Sequence, residues 1–341
     1  MKHNVPEDFG VIVCCYYGDY RLAKGCCASI RHFLGEVPIC LIVDGDLSVR
    51  SLERAYGVHV IKRKDIRNQD LKGSNVGWGF PKMTAFWESP WKNFLYLDAD
   101  IVGWGDLLQF ANFEDFDMIV DSTAGEHLGE SVVNSLYVNT KTISSYFPDF
   151  RWQDQSYFCT GAFFAKRDLF SLDEYLELLE LRARNPYLFC CGEQGLLNLM
   201  VARASKEGRL RVGNAPFQKL VVDYYLNCEK NEMVDRFRVD KILGSVLRTD
   251  EGCVLHYAGL KPRLSDTKVY SAPMVHFRRK FYLDLGLSEQ VAGTMLYLEE
   301  LADIPKTFYW RAKRRLQYSL LDWKMKMEGM YNQNKHGDSA P

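Results

Sequence analysis

The sequence predicts an α/β fold: a Rossmann-like, mostly parallel sheet flanked by helices, with a C-terminal helical extension. Three observations predict it. Val11-Ile12-Val13-Cys14-Cys15 and Ile39-Cys40-Leu41-Ile42-Val43 are continuous apolar runs, as expected of strands buried on both faces. Between them Leu22, Cys26, Ile30, Phe33 and Leu34 recur at helical spacing, so strand, helix and strand form a right-handed parallel crossover. A third apolar run, Phe94-Leu95-Tyr96-Leu97, ends in Asp98-Ala99-Asp100.

The remaining elements follow in order. Asp19 opens the first helix and Gly35 fits its stop. Residues 62–80 are polar and Gly-rich and read as a loop or lid, followed by a helix over 81–90. Strands are predicted at 118–121 and 158–165. Helices are predicted at 172–184, with Leu172, Leu176 and Leu179 on one face, and at 193–204. Cys253-Val254-Leu255-His256 is a late strand. Trp78, Trp87 and Trp91 could stack on sugar or fill the core; Trp87 and Trp91 are placed with the 81–90 helix and read as core. From Pro305 the character changes. Tyr309, Leu316, Leu320, Trp323 and Met327 share a helical face, and Arg311, Lys313, Arg314, Arg315, Lys324 and Lys326 make the remainder basic. The expected organisation is a domain over 1–275, a helical extension over 276–331 with this basic amphipathic helix, and a disordered tail over 332–341.

Composition narrows the function classes. The chain has 341 residues, 47% of them hydrophobic, which supports a large core without staples. A net charge of −1 argues neither for nor against nucleic acid, and none is expected as a partner. None of the ten cysteines forms a C-x-x-C pair, and most lie in apolar runs, where a thiol acts as a small hydrophobe. They point to a reducing compartment, the cytoplasm. The first eight residues lack the apolar stretch of a signal peptide, and no run approaches the length of a spanning helix. The basic helix, over 308–331, suits peripheral contact with the inner face of a membrane; the bland alternative is a helix packed on the domain.

Three motifs carry chemistry. In Asp98-x-Asp100 residues two apart on an extended backbone point the same way, so both carboxylates can face one ion, Mn²⁺ or Mg²⁺, with a diphosphate completing its shell. Asp44-Gly45-Asp46 and Asp115-Phe116-Asp117 match the pattern too, and Asp44 also ends a buried strand. His256-Tyr257-Ala258-Gly259-Leu260-Lys261-Pro262 offers a strand-end imidazole as a third ligand, which favours Mn²⁺. Within it Lys261 offers a cation for phosphate, and Gly259 permits close backbone approach. Gly192-Glu193-Gln194-Gly195 lies at a helix start, where Glu193 either caps the helix or, with Gln194, faces a reacting sugar carbon.

In combination these segments resemble glycosyltransferase family 8, retaining enzymes of the GT-A fold, over about residues 11–265. Phe94 to Asp100 is similar to the family's metal strand and Tyr157-Phe158-Cys159-Thr160-Gly161 to its Phe-Asn-x-Gly segment. Glu193 to Asn198 is similar to Asp-Gln-x-x-Leu-Asn, and His256 to Pro262 to its His-x-x-Gly-x-x-Lys-Pro. The resemblance implies a UDP-sugar donor, with Asp98, Asp100 and His256 binding Mn²⁺ and Lys261 holding the diphosphate. It also implies that Lys82 touches phosphate or sugar, that Asp19 and Tyr20 hold the uridine, with Tyr20 stacked on the base, and that Thr160 and Gly161 line the donor sugar. Gln194 would face the anomeric carbon and Glu193 the sugar or acceptor, a glycan or lipid-linked glycan. The chain departs from the pattern at Cys159 (usually Asn), at Glu193 (usually Asp) and in a His-to-Lys spacing one residue shorter. Two other classes compete. A sugar-1-phosphate nucleotidyltransferase would want a Gly-rich phosphate loop after the first strand, where Cys15-Tyr16-Tyr17-Gly18-Asp19-Tyr20 has aromatics instead. A non-catalytic nucleotide-sugar binding protein would not need the retained Asp98, Asp100, His256 and Lys261.

Overall fold

The structure is a computed structural model that describes residues 6–74, 79–122, 128–221, 252–259, 261–264 and 271–303. Within the first compact unit, Met1–Ala292, strands β1 (Phe9–Tyr16), β2 (Ile39–Asp44), β3 (His59–Lys62), β4 (Asn93–Asp98), β6 (Met118–Ser122), β7 (Phe158–Lys166) and β8 (Val212–Asn214) form one sheet, in the order β3-β2-β1-β4-β7-β6-β8. A second sheet joins β5 (Ile101–Trp104), β10 (Cys253–His256) and β9 (Gln218–Leu220), with β10 central.

Helix α1 (Tyr20–Leu34) makes the predicted crossover between β1 and β2, which pair in parallel from Val11 opposite Ile39 to Tyr16 opposite Asp44. Its buried surface is wider than the expected stripe and takes in Ala23, Cys27 and Ala28, because α9 (Ala272–Asp284) packs on its other side. The expected boundary at residue 275 falls inside α9, and the first compact unit runs on to Ala292. Residues 289–303 are helical. The expected helix over 308–331, the tail over 332–341 and Trp78 lie outside the described residues.

Direction and order of the strands fix where a ligand can sit. From β1 the chain steps outward to β2 and β3, then returns to lay β4 along the other side of β1, in parallel. That reversal is a topological switch point, and the crevice beyond the carboxyl ends of β1 and β4 is where open α/β sheets take ligands. β7 runs antiparallel to β4, with Leu97 opposite Ala162. Its first residues, Phe158 to Gly161, therefore project beyond the same edge at which Asp98 ends β4.

Several expected elements change on folding. The 62–80 segment is not a bare loop: it holds the end of β3, a 3₁₀ turn at Arg63–Asp65 and helix α3 (Gln69–Ser74). The 81–90 helix is a 3₁₀ turn (Phe80–Thr84) followed by one α turn, α4 (Ala85–Glu88). It stops because Ser89 precedes Pro90 and takes the extended ψ of 134° that a pre-proline residue requires. Trp91 thus lies past the helix, yet it and Trp87 both pack against the main core. Helix α7 (Leu172–Arg184) has the predicted bounds, but Tyr175 and Leu178 carry its buried face and Leu176 sits at its margin. The described cysteines are free thiols. No helix among the described residues is long and apolar enough to cross a membrane.

Candidate active site

Asp98, Asp100 and His256 converge, their ligand atoms lying within 4.8 Å of one another. Two sheets cooperate to bring them together. Asp98 ends β4 of the large sheet, Asp100 follows two residues later, and the chain then enters β5 of the small sheet. β10 pairs antiparallel with β5, placing His256 opposite Ile101, and the Tyr257 N–H donates to the Asp100 carbonyl at 3.0 Å. His256 Nε2 lies 3.4 Å from Asp100 Oδ1 and 3.9 Å from Asp98 Oδ2. The other ring nitrogen, Nδ1, lies 3.0 Å from Gln218 Oε1 and 3.6 Å from Cys159 Sγ. A cation would displace the Nε2 proton, and a proton kept on Nδ1 and shared with the Gln218 carbonyl would leave the Nε2 lone pair to ligate it. Two carboxylates and one imidazole make a donor set that fits a divalent ion of the Mn²⁺ or Mg²⁺ type.

Charge at the site is held by burial and pairing. Burial works against the Asp100 carboxylate, but Lys261 and His256 beside it hold its pKa below the ordinary aspartate range. Burial likewise works against the His256 imidazolium, and the neighbouring Cys159 and Asp100 outweigh it, raising its pKa to about 10 in the absence of an ion. Lys261 Nζ pairs with the Asp100 carboxylate and donates to the Tyr257 carbonyl at 3.1 Å. Its side chain is 39% exposed, so it can turn toward an arriving anion. Gly259, two residues earlier, is exposed with φ +93°.

The other face of the site is a buried network. Lys82 Nζ lies 3.0 Å from Asp98 Oδ1, 2.7 Å from Glu193 Oε1 and 3.2 Å from the Thr160 carbonyl. Thr160 Oγ1 donates to Glu193 Oε1 at 2.9 Å, and the Tyr96 hydroxyl donates to Asp98 Oδ1 at 2.6 Å. Glu193 stands at the N-cap of helix α8 (Gln194–Lys206) but makes no side-chain cap bond. The turn before it, with Cys191 at φ 49° and Gly192 at φ 68°, turns its carboxylate to Lys82 and Thr160 instead. Gln194 is only half-buried and donates its amide to the Leu136 carbonyl at 3.0 Å. Gly161 is obligatory in this packing, because a Cβ there would collide with the His256 ring.

At the end of β1, Asp19 accepts the Tyr16 N–H at 2.8 Å. Burial pushes its carboxyl pKa up; the Tyr16 bond opposes this, while the charges of Asp100 and Asp98 add to the rise. Tyr20 shares a 2.8 Å hydrogen bond with Ser51, and Lys24 lies over its ring. Tyr16 and Tyr17 are the more exposed aromatics at this edge.

The rival acidic pairs lie elsewhere. Asp117 precedes β6, at the opposite edge of the sheet, and is engaged by Lys166 and Arg211. Asp44 ends β2 on the correct edge, but Asp46 is exposed, and among the described residues only Asp98, Asp100 and His256 group as a metal-binding cluster. A cleft of about 600 Å³ beside Asp46 and Arg50, and one of about 950 Å³ between Phe147 and Asn214, are both lined by residues outside this cluster. Two participants went unread in the sequence. Tyr96 was legible, since it lies two residues before Asp98 on the same strand face. Gln218 carried no signal, because only the β9–β10 pairing brings it to His256.

No family model matches the chain, and no curated protein matches it significantly. Solved structures do. The glycosyltransferase GlyE of Streptococcus pneumoniae matches at 14% identity and a TM-score of 0.48, over 85% of this chain and 64% of its own length. The galactosyltransferase LgtC with donor and acceptor sugar analogues matches at 14% identity and 0.47, over 83% and 99%. A glucosyl-3-phosphoglycerate synthase of Mycobacterium tuberculosis with Mn²⁺ and UDP matches at 13% and 0.35, over 60% and 67%. The chain thus spans less than two thirds of GlyE. At this level of likeness the functional reading rests on the chain's own residues.

Proposed function

We propose that this chain is a metal-dependent glycosyltransferase of the GT-A type. It would move a hexose from a UDP-sugar to a hydroxyl of a glycan or lipid-linked glycan, with retention of configuration. The observation that carries the reading is the convergence of Asp98, Asp100 and His256 at the switch point of the sheet, with Lys261 on one side and the Lys82–Glu193 pair on the other. Mn²⁺ is the preferred ion because one ligand is an imidazole, and Mg²⁺ is the alternative. When bound, it would neutralise charge developing on the departing diphosphate.

The chain's own groups supply the rest. Lys261, released from Asp100, would meet the diphosphate as a point charge, and the left-handed turn at Gly259 lets the backbone approach. In the transfer, the bond from the sugar anomeric carbon to the β-phosphate oxygen breaks and the electron pair leaves with UDP. The acceptor oxygen bonds to that carbon, and its proton passes to the diphosphate. Gln194 would face the sugar, with Thr160 and Gly161 lining it, and Asp19 and Tyr20 would hold the uridine. The Glu193 carboxylate is buried and paired with Lys82, which supports retention over an inverting role for Glu193 as a general base.

The test is UDP release from a panel of UDP-sugars, with Mn²⁺ and with EDTA. One donor should be hydrolysed slowly with Mn²⁺ only, and Asp100→Ala should lower the rate more than about 100-fold, beyond the usual cost of a supporting residue. Metal-independent release, or an Asp100→Ala variant that works normally, would refute the assignment. UDP binding without turnover of any donor or acceptor would favour a binding protein.

A further inference from the structure

Lys82, for which the resemblance implies a contact with phosphate or sugar, is not disposed to reach the diphosphate. Its side chain is 5% exposed. An ammonium has three N–H donors, and here three groups take them: the Asp98 carboxylate, the Glu193 carboxylate and the Thr160 carbonyl. The Tyr96 ring lies on another side, 5.3 Å from Nζ.

We propose that Lys82 is a positioning residue: it fixes the Asp98 carboxylate against Glu193 and Thr160 and does not touch the nucleotide diphosphate. Asp98 is then oriented by two groups, the Tyr96 hydroxyl and the Lys82 ammonium. The same ammonium ties β4 to the start of β7 and to the first turn of α8. A shift of α8 would therefore be felt at the cation-facing carboxylate. The glycine at position 79, φ +83°, leaves room for Glu193 Oε2 and completes the bracket from the other side. This inference rests on the metal site proposed above.

The experiment must separate geometry from charge. Lys82→Met alone leaves Glu193 buried and unpaired, which can unfold the chain and also adds negative field at the ion. Lys82→Met/Glu193→Gln removes one charge of each sign, so the net charge of the site is preserved. Three quantities are measured for this double variant, for Glu193→Gln and for the unsubstituted chain: thermal midpoint, Mn²⁺ affinity without nucleotide by EPR, and UDP affinity in EDTA. The double variant should fold. Relative to the unsubstituted chain, which has the same net charge at the site, it should lose about tenfold in Mn²⁺ affinity and more than Glu193→Gln loses, the lower end for removing a group that orients a ligand. Its metal-free affinity for UDP should stay within twofold. A fall in metal-free UDP affinity would mean that Lys82 meets the diphosphate directly and would overturn the proposal. Unchanged Mn²⁺ affinity in a folded double variant would overturn it as well, leaving Lys82 a structural ion pair. An unsubstituted chain that binds neither Mn²⁺ nor UDP would defeat the glycosyltransferase reading itself, and this inference with it.

Discussion

Gly161 is a residue whose value lies in what it lacks. The His256 imidazole fills the space where its side chain would be, and the ring is held there by Gln218 and Cys159 through Nδ1. Gly161→Ala should therefore push the ring away from Asp98 and Asp100. The expected result is a loss of about tenfold in Mn²⁺ affinity, with a stability cost of about 1–3 kcal/mol from overpacking. An EPR titration alongside urea unfolding would show both. Full Mn²⁺ affinity in the alanine variant would mean that the ring has freedom to relocate. Cys159 belongs to the same packing. A thiol there meets the histidine through Nδ1, so it touches the orientation of the imidazole and leaves the cation-facing nitrogen clear.

Among the elements, β7 and α8 depend on one asparagine. Asn198 is buried; it accepts the Phe158 N–H at 3.1 Å and donates to the Phe158 carbonyl at 3.0 Å and to the Gln194 carbonyl at 2.9 Å. It fixes how far the start of β7 projects over the site. Asn198→Ala strands both Phe158 groups and should cost about 1–3 kcal/mol in urea unfolding. A cost below about 0.5 kcal/mol, as for a surface change, would show that Asn198 is not the strut. The elements also explain what could be read in advance. Val11 to Cys15, Ile39 to Val43 and Phe94 to Leu97 were legible as strands because burial on both faces leaves an uninterrupted apolar run. The acidic pair at the end of β4 and the strand-end histidine were legible for the same reason. The short edge pieces β8 and β9 were not, since three residues carry no periodicity. Nor was the choice between capping and site for Glu193. It depends on the left-handed turn at Cys191 and Gly192, and Cys191 is a residue type that gives no warning of positive φ.

At the scale of the molecule, opposite edges of the large sheet do different work. Far from the site, Asp117 accepts from Arg211 and Lys166 and so clamps β6, β7 and the approach to β8. Arg211 first, and Lys166 after it, hold its pKa below the usual aspartate range. A depressed folded pKa stabilises the fold above the unfolded value, about 3.9, and that contribution is lost as pH falls through the folded value. The stability gap between the natural chain and Asp117→Asn should thus be widest near neutrality and narrow below about pH 4. Urea midpoints across pH would show it, and a gap that does not change with pH would refute the clamp. At the functional edge the two sheets are joined by two residues, Ala99 and Asp100. Ala99 is 1% exposed and directly follows the end of β4, and Asp100 directly precedes the start of β5. Chain length at this joint is therefore under stricter control than chemistry. β4 is locked in register to β1, and β5 to β10. One inserted residue would advance Asp100 by about 3.3 Å or turn it to the opposite face. The joint can accept another small side chain in place of Ala99, but it has no slack for a longer or shorter link.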